Sequence, residues 1–264
     1  MALMCVLAQN LPTIAVGNVT SKCIAIATVT QTVVEQQQSV FSVHGGTAME
    51  LVSVNRSTPV TIRFNGTNVS TGIYKMPIQG AVNVTQFGLE GDAIVDKTVH
   101  GGLDQAIYLY HKEDYDWWSA LLGRKIENGT FGENFTISGS DDISWIIGDR
   151  IRIAQVILEI TAPRTPCFKL GVRMGDSRFV KQFADANRPG AYARVINNGT
   201  VSVGDQLEID KTTKPYVAVK EIFAEWHSAK KSLDTLTKAL DSPIATVHKA
   251  KIQNWYDELI KQQI

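Results

Sequence analysis

The stretch that decides the fold class runs from residue 147 to residue 161 and reads IGDRIRIAQVILEIT. It opens with a Gly-Asp pair and continues with alternating apolar residues, which is typical of a turn that leads into a β-strand. Residues 203–207, with the sequence VGDQL, repeat this arrangement. We interpret residues 151–161 as one long apolar strand, and the two similar turns predict an all-β barrel rather than alternating βαβ units.

Further β-rich segments lie on both sides of this stretch. Residues 49–54, 60–64, 81–87 and 201–209 have the composition and the alternation of strands, with Gly and Asp between them. The sequence therefore predicts that residues 49–214 form one mainly β domain with flanking helices.

Two helices are predicted within this domain. The first covers residues 111–122, with acidic side chains near its start and Gly123 at its end. The second has Asp176 or Ser177 as its N-cap and must end before Pro189. Aromatic residues recur at helical spacing in both helices. We interpret these stripes as core contacts, with a platform for a cofactor as the alternative.

The composition shifts after Lys214 to Lys, Glu, Leu and Ala at helical spacing, so residues 215–264 predict a small helical subdomain. Its last helix is expected to have Ser242 as its cap and Pro243 in its first turn. We expect this tail to pack on the barrel or to pair two subunits. The predicted apolar face of the last helix consists of Ile244, Val247, Trp255 and Leu259.

Residues 1–48 form a leading segment that is apolar and poor in charge. We interpret it as an extension from an upstream start codon, because Met49 opens the first clean strand pattern. An export or organelle-targeting leader is the alternative, although polar residues interrupt every apolar run within it.

Composition excludes several classes of protein. Lys plus Arg and Asp plus Glu both number 26, so the net charge gives no general attraction to nucleic acid or anionic lipid. No apolar run reaches the roughly 18 residues that a membrane span needs. The three cysteines, Cys5, Cys23 and Cys167, are too few and too scattered for a disulfide framework or an iron–sulfur cluster held within this chain. We expect a cytoplasmic protein that binds neither nucleic acid nor membrane.

The strongest candidate for chemistry is Cys167, in the run TAPRTPCFKL at residues 161–170. Prolines on either side of Arg164 hold the loop that leaves the predicted strand. Arg164 and Lys169 supply positive charge that favours a thiolate, and a thiolate is both a nucleophile and a soft metal ligand. A buried structural cysteine is the alternative, and this run alone does not decide between them.

Two further runs offer groups that could contact a ligand. In residues 99–106, VHGGLDQA, backbone amides at Gly101 and Gly102 could approach an anion, while His100 is either a hydrogen-bonding ligand or a turn residue. In the loop FGENF, Glu133 and Asn134 either bind the polar edge of a ring or satisfy the loop backbone.

Tyr192 and Arg194 lie two residues apart in a predicted strand, so they share one of its faces. The guanidinium of Arg194 could pair with a phosphate through two hydrogen bonds.

These runs, taken together and in order, resemble the MOSC domain family, the molybdenum cofactor sulfurase C-terminal type, and most closely its YiiM-like members. The resemblance extends from about Met49 to Ile260, and the tail is similar to the three-helix domain that follows MOSC in this subgroup. It implies a MOSC-type β-barrel, which is pyruvate-kinase barrel-like. The five matching motifs are GIYK at 72–75, HGGLDQA at 100–106, GEN at 132–134, RTPC at 164–167, and GAYARV at 190–195 followed by Gly204-Asp205.

The resemblance implies a molybdenum-molybdopterin cofactor whose metal is ligated by Cys167, with no need for pyridoxal phosphate. It implies the reduction of small N-hydroxylated compounds such as hydroxylaminopurines. Because the chain has no second cysteine pair, we expect the electrons to come from a separate flavin or iron–sulfur reductase. A cofactor carrier or binding module, and a sulfur-transfer protein with a persulfide on Cys167, are the alternatives.

Several residues take roles under this resemblance. His100 is the candidate for proton delivery, with Tyr192 as its rival. Cys5 and Cys23 inherit no role, and the helical tail could make a homodimer. The residues expected to bind the cofactor are Lys75, Gly101, Gly102, Glu133, Asn134, Arg164, Lys169 and Arg194.

Overall fold

Strands dominate the described part of the chain. The structure is a computed structural model that describes residues 49–93, 102–139 and 144–262. Residues 1–48, with the predicted leading segment, lie outside the described residues. In chain order the strands are β1 (Met49–Arg56), β2 (Val60–Phe64), β3 (Thr67–Thr71), β4 (Met76–Pro77), β5 (Val82–Thr85), β6 (Gly88–Leu89), β7 (Ile107–His111), β8 (Phe135–Ser138), β9 (Arg150–Ile153), β10 (Val156–Ala162), β11 (Ala191–Asn197), β12 (Gly199–Val201) and β13 (Gln206–Asp210).

Seven of these strands close into a barrel, which confirms the predicted fold class. The order is β13-β9-β10-β11-β7-β8-β1, and β1 pairs back with β13 where Met49 lies opposite Leu207. Neighbouring barrel strands are antiparallel except β7 and β8, which are parallel. Alternate side chains of each strand point inward, so residues such as Leu51, Ile151 and Leu158 are fully buried in the barrel core.

The two predicted Gly-Asp turns are confirmed and have the same geometry. Gly148 and Gly204 both have positive φ angles, of 94° and 93°, which glycine adopts at no steric cost. After each glycine, an Asp carboxylate accepts a backbone N–H three residues upstream. The distances are 2.9 Å from Ile146 to Asp149 and 2.8 Å from Ser202 to Asp205.

The interpretation of residues 151–161 as one strand is wrong, because they lie in the hairpin β9-β10. The connecting residues are 154 and 155, and Ala154 adopts a left-handed φ of 49°. The buried positions change parity across this turn, from Ile151 and Ile153 to Val156 and Leu158. A continuous strand keeps one parity on each face, so the switch in the apolar pattern marks the turn.

Six α-helices occur in the described residues: α1 (Lys112–Leu122), α2 (Phe168–Met174), α3 (Phe179–Ala186), α4 (Val219–His227), α5 (Leu233–Asp241) and α6 (Thr246–Lys261). The predicted first helix is confirmed as α1, which ends at Gly123 with a left-handed φ of 64°. The predicted second helix is α3, but its N-cap is Arg178, not Asp176 or Ser177. The aromatic stripes are buried in the core as expected, with Tyr115 and Trp118 of α1 packed against Phe179 and Phe183.

The tail is helical as predicted, but its last helix begins later than expected. Ser242 ends α5, where its hydroxyl donates to the carbonyl of Ala239 at 2.7 Å. Helix α6 starts at Thr246, and Val247 is 50% exposed, so its place on the apolar face was wrong.

Helices α4 to α6 share the barrel's hydrophobic core through side chains such as Ile222, Leu236 and Ile252. The described residues fall within one compact unit. The domain boundary at Lys214 stays a prediction. Within the described ranges, no helix is both long enough and apolar enough to span a membrane.

Candidate functional site

Cys167 lies where the chain leaves the barrel. Strand β10 ends at Ala162, a four-residue segment with two prolines follows, and Cys167 is the N-cap of α2 with an extended φ of −131°. The side chain is half-buried. The sequence placed Cys167 after a strand correctly but missed the short helix, in which Gly171 allows the backbone around Asp176 and Ser177 to approach closely.

Arg164 is the most unusual side chain near Cys167. It is only 6% exposed, and its guanidinium lies between the ring of Tyr108 on β7, at 5.5 Å, and the ring of Phe183 on α3, at 5.6 Å. Its Nη1 atom is buried and has no hydrogen-bond partner. Burial opposes the charge, but nearby Tyr108, Tyr192 and Cys167 more than offset it and raise the pKa of Arg164. A buried cation that interacts electrostatically with Cys167 therefore precedes it by three residues in the chain.

Tyr192 joins this group from strand β11. Its ring lies 5.1 Å from the ring of Tyr108, and its hydroxyl interacts with the side chain of Arg164. Burial raises the pKa of Tyr192, so the phenol keeps its proton at neutral pH and can donate it in a further hydrogen bond. Tyr192 thus has the chemistry of a hydrogen-bond donor next to Cys167.

Lys75 has a different setting from the one predicted. It is 7% exposed and forms an ion pair with Asp92, a residue that sequence reasoning missed. Burial lowers the pKa of Lys75, while Asp92 opposes that shift. Asp92 also accepts hydrogen bonds from Asn134, at 2.8 Å, and from the backbone of Ser57, at 2.9 Å. The charge of Lys75 is already balanced, which weakens its assignment to a cofactor phosphate. The Gly91-Asp92 pair was the available signal.

Glu133 and Asn134 take the structural role that the sequence left open. Glu133 is fully buried and accepts hydrogen bonds from the Tyr115 hydroxyl at 2.7 Å and from the backbone of Gly129 at 2.5 Å. Burial raises the pKa of this carboxyl. Asn134 accepts a hydrogen bond from the backbone of Tyr108 at 3.1 Å. The buried position of Glu133 does not support a contact with a pterin edge.

Arg194 shares a strand face with Tyr192, as predicted, but its partners differ. Its guanidinium donates to the carbonyl of Pro243 at 2.8 Å and lies 3.1 Å from Asp104 and 3.5 Å from Glu159. The two carboxylates thus already balance the charge of Arg194. Its hydrogen bond to Pro243 connects the barrel to the helical tail. This arrangement argues against a phosphate-binding role for Arg194.

The remaining predicted residues divide into two groups. His100 and Gly101 lie outside the described residues. Gly102 has a left-handed φ of 78° and directly precedes a short 3₁₀ helix. Lys169 is half-buried in α2 and interacts with other residues.

A groove of about 780 Å³ lies beside the Lys75–Asp92 pair. Its wall is connected to Arg164 through side chains already described, and neither Arg164 nor Cys167 is among its described lining residues. Asp92 bonds to Asn134, Asn134 bonds to the backbone of Tyr108, and the Tyr108 ring holds Arg164. The described lining includes Pro59, Ser70, Phe87, Leu89, Asp92 and Leu103.

The donor set can be compared with the needs of the implied cofactor. Across residues 49–93, 102–139 and 144–262, no group of three or more His, Cys, Asp or Glu side chains could hold a metal ion. Cys167 offers a soft sulfur ligand, and the unpartnered Nη1 of Arg164 offers a buried cation for a negatively charged group. These two residues fit a thiolate-ligated, anionic cofactor, whereas Lys75 and Arg194 fit it less well.

Comparisons with known proteins support the same family. The MOSC domain family model matches residues 96–208. YflK of Bacillus subtilis is 35% identical over 159 residues, which cover 60% of this chain and 72% of YflK. A protein of Gibberella moniliformis named Reductase is 28% identical over 183 residues, which cover 68% of this chain and 32% of that protein.

The fold agrees with that of a solved structure. The crystal structure of YiiM from Geobacillus stearothermophilus aligns with a TM-score of 0.65 and 24% identity, covering 79% of this chain and 99% of that one. The resemblance drawn from the sequence motifs is confirmed: this chain belongs to the MOSC domain family.

Proposed function

We propose that this protein is an oxidoreductase that holds the molybdenum cofactor through the thiolate of Cys167 and reduces small N-hydroxylated compounds such as hydroxylaminopurines. The observation that carries the proposal is the half-buried Cys167 three residues after Arg164, a buried arginine whose Nη1 atom has no hydrogen-bond partner. A reduced cysteine of this kind needs a reducing compartment, which fits a cytoplasmic location. The relative named Reductase supports redox chemistry in the family.

The reaction sets clear requirements. Reduction of an N-hydroxyl group takes two electrons and two protons and yields an amine and water. When bound, the molybdenum cofactor supplies the two-electron chemistry. The chain itself must bind the cofactor, orient the substrate and hold a proton at the reacting oxygen.

Residues near Cys167 can meet these requirements. Arg164 can stabilise the Cys167 thiolate that would hold the cofactor, because its charge is buried and lies over two rings. The neutral hydroxyl of Tyr192 can donate a hydrogen bond to the substrate oxygen. His100 is retained as a second candidate for proton delivery. The apolar walls of the groove at Phe87 and Leu103 could accept a flat ring.

A direct assay tests this activity. Protein from cells that make the molybdenum cofactor is mixed with a reduced viologen dye, which replaces the separate flavin or iron–sulfur donor, and 6-hydroxylaminopurine is added. We expect the dye to be oxidised and adenine to form. Cys167→Ser should abolish both signals, while Cys23→Ser should leave them unchanged. A cofactor-loaded protein that never oxidises the dye would instead favour a carrier, and labile sulfur on Cys167 without metal would favour sulfur transfer.

A further inference from the structure

Arg164 carries a buried charge that has no counter-charge among the described residues. An arginine side chain is always charged, and it is costly to bury a charge without a counter-charge. Yet Arg164 is 6% exposed, its Nη1 has no hydrogen-bond partner, and no carboxylate in the described ranges lies at ion-pair distance from it. Among the described residues, the other buried Lys or Arg side chain, Lys75, has Asp92 as its partner. The charge of Arg164 therefore has no carboxylate partner among the described residues.

The guanidinium is also held in place. Tyr108 and Phe183 contact it at 5.5 and 5.6 Å, and both rings belong to the buried aromatic cluster around Trp118. The hydroxyl of Tyr192 also interacts with it. These two ring contacts hold the side chain of Arg164 away from solvent, so its charge stays in one position.

The charge of Arg164 also acts on Cys167. Arg164 precedes Cys167 by three residues, and Pro166 stiffens the backbone between them. Cys167 is among the groups that interact electrostatically with the guanidinium. A positive charge near a ligating thiolate draws electron density away from the metal and favours its reduced state.

We propose that Arg164 is a positioning residue that raises the reduction potential of the bound metal by placing a fixed, unpaired positive charge beside the ligand sulfur of Cys167. This inference rests on the proposed function, since it requires a metal on Cys167. It goes beyond cofactor binding, because it assigns Arg164 an effect on how readily the metal accepts electrons.

The test is a redox titration of the loaded full-length protein, with the metal followed by electron paramagnetic resonance. Arg164→Gln removes the charge but keeps a polar side chain, and it should shift the metal potentials to more negative values. Arg164→Lys keeps the charge and should restore most of the wild-type potential. Arg173→Gln is the control, because Arg173 is also a cation packed on a ring, 4.5 Å from Tyr74, but it is only half-buried.

Each outcome decides the proposal. Metal content is measured first in every variant. Wild-type protein without molybdenum would refute the proposed function itself. Full metal content in Arg164→Gln with unchanged potentials would overturn the present inference. Loss of metal in that variant alone would also overturn it, because Arg164 would then be needed to bind the cofactor rather than to set its potential.

A second variant covers the case in which Arg164→Gln does not fold. Tyr192→Phe removes a hydroxyl that interacts with the Arg164 guanidinium. Without that oxygen atom, more of the positive charge acts on the sulfur of Cys167. The potentials should then shift to more positive values. Unchanged or more negative potentials in Tyr192→Phe would overturn the inference.

Discussion

His248 makes the stability of the helical tail sensitive to acid. It lies on α6, is 5% exposed, and packs 4.7 Å from the ring of Trp226. Its Nδ1 is buried without a hydrogen-bond partner. Burial lowers the pKa of His248 from 6.5 to about 4. Between these two values the unfolded chain binds a proton that the folded chain does not, so stability falls as the pH drops from about 6.5 to about 4.

The size of this effect follows from the two pKa values. The full loss corresponds to roughly 3 kcal/mol, and about 2 kcal/mol of it is present at pH 5. Urea unfolding at pH 7.5 and pH 5 measures the loss directly. His248→Leu should reduce the loss between these pH values by about 2 kcal/mol relative to wild type. His111, whose pKa burial also lowers to about 4, should account for part of the remainder.

His227→Leu is the matched control, because His227 is a less buried histidine of the same helical tail. It should change the acid sensitivity far less than His248→Leu does. The reasoning is refuted if His248→Leu loses as much stability between pH 7.5 and pH 5 as the wild type.

Three other substitutions test the contacts that position the site. Asp92→Asn should cost about 3–5 kcal/mol in urea unfolding, because it leaves Lys75 buried without its charge partner; a further Lys75→Met change should recover part of the loss, and additive losses would contradict this account. Arg194→Ala should cost about 1.5–3 kcal/mol and speed proteolysis of the tail, since it removes charge-assisted hydrogen bonds; unchanged proteolysis would argue against its connecting role. Gly190→Ala should cost about 2 kcal/mol or more, because φ is 62° and the new Cβ would lie 2.4 Å from the carbonyl oxygen of Leu109; a thermal melt equal to wild type would exclude that clash.

Local turn chemistry made much of the barrel predictable. The turns at Gly148 and Gly204 were predicted correctly because Gly-Asp pairs carry their own conformational signal. The turn at residues 154–155 has no such signal, since Ala154 adopts its left-handed conformation only within the hairpin. The change of parity in the apolar residues was the remaining clue, and it becomes clear only when each half of the stretch is examined separately.

Tertiary contacts explain the errors in the tail. Ser242 and Pro243 have the local chemistry of a helix start. Their segment is instead fixed by the barrel, where the backbone of Ala245 donates to the carbonyl of Thr161 at 2.9 Å and Pro243 accepts from Arg194. Contacts between residues so distant in the sequence leave no mark in the local pattern.

The candidate site was predictable only in part, for the same reason. Cys167 and Arg164 lie in one short run, so local reasoning found both. The pairing of Lys75 with Asp92, and the rings of Tyr108 and Phe183 around Arg164, depend on how distant elements meet. The sequence shows the charge of Lys75 and its place in a motif, but it does not show that Asp92 already balances that charge.

The central claim is that Cys167 is the protein ligand of a molybdenum cofactor. The most direct measurement is the molybdenum and pterin content of purified protein from cells that make the cofactor, for the wild type, Cys167→Ala and the control Cys23→Ala. We expect molybdenum near one atom per chain in the wild type and in Cys23→Ala, and none in Cys167→Ala. Equal molybdenum content in all three proteins, or none in any of them, would contradict the account.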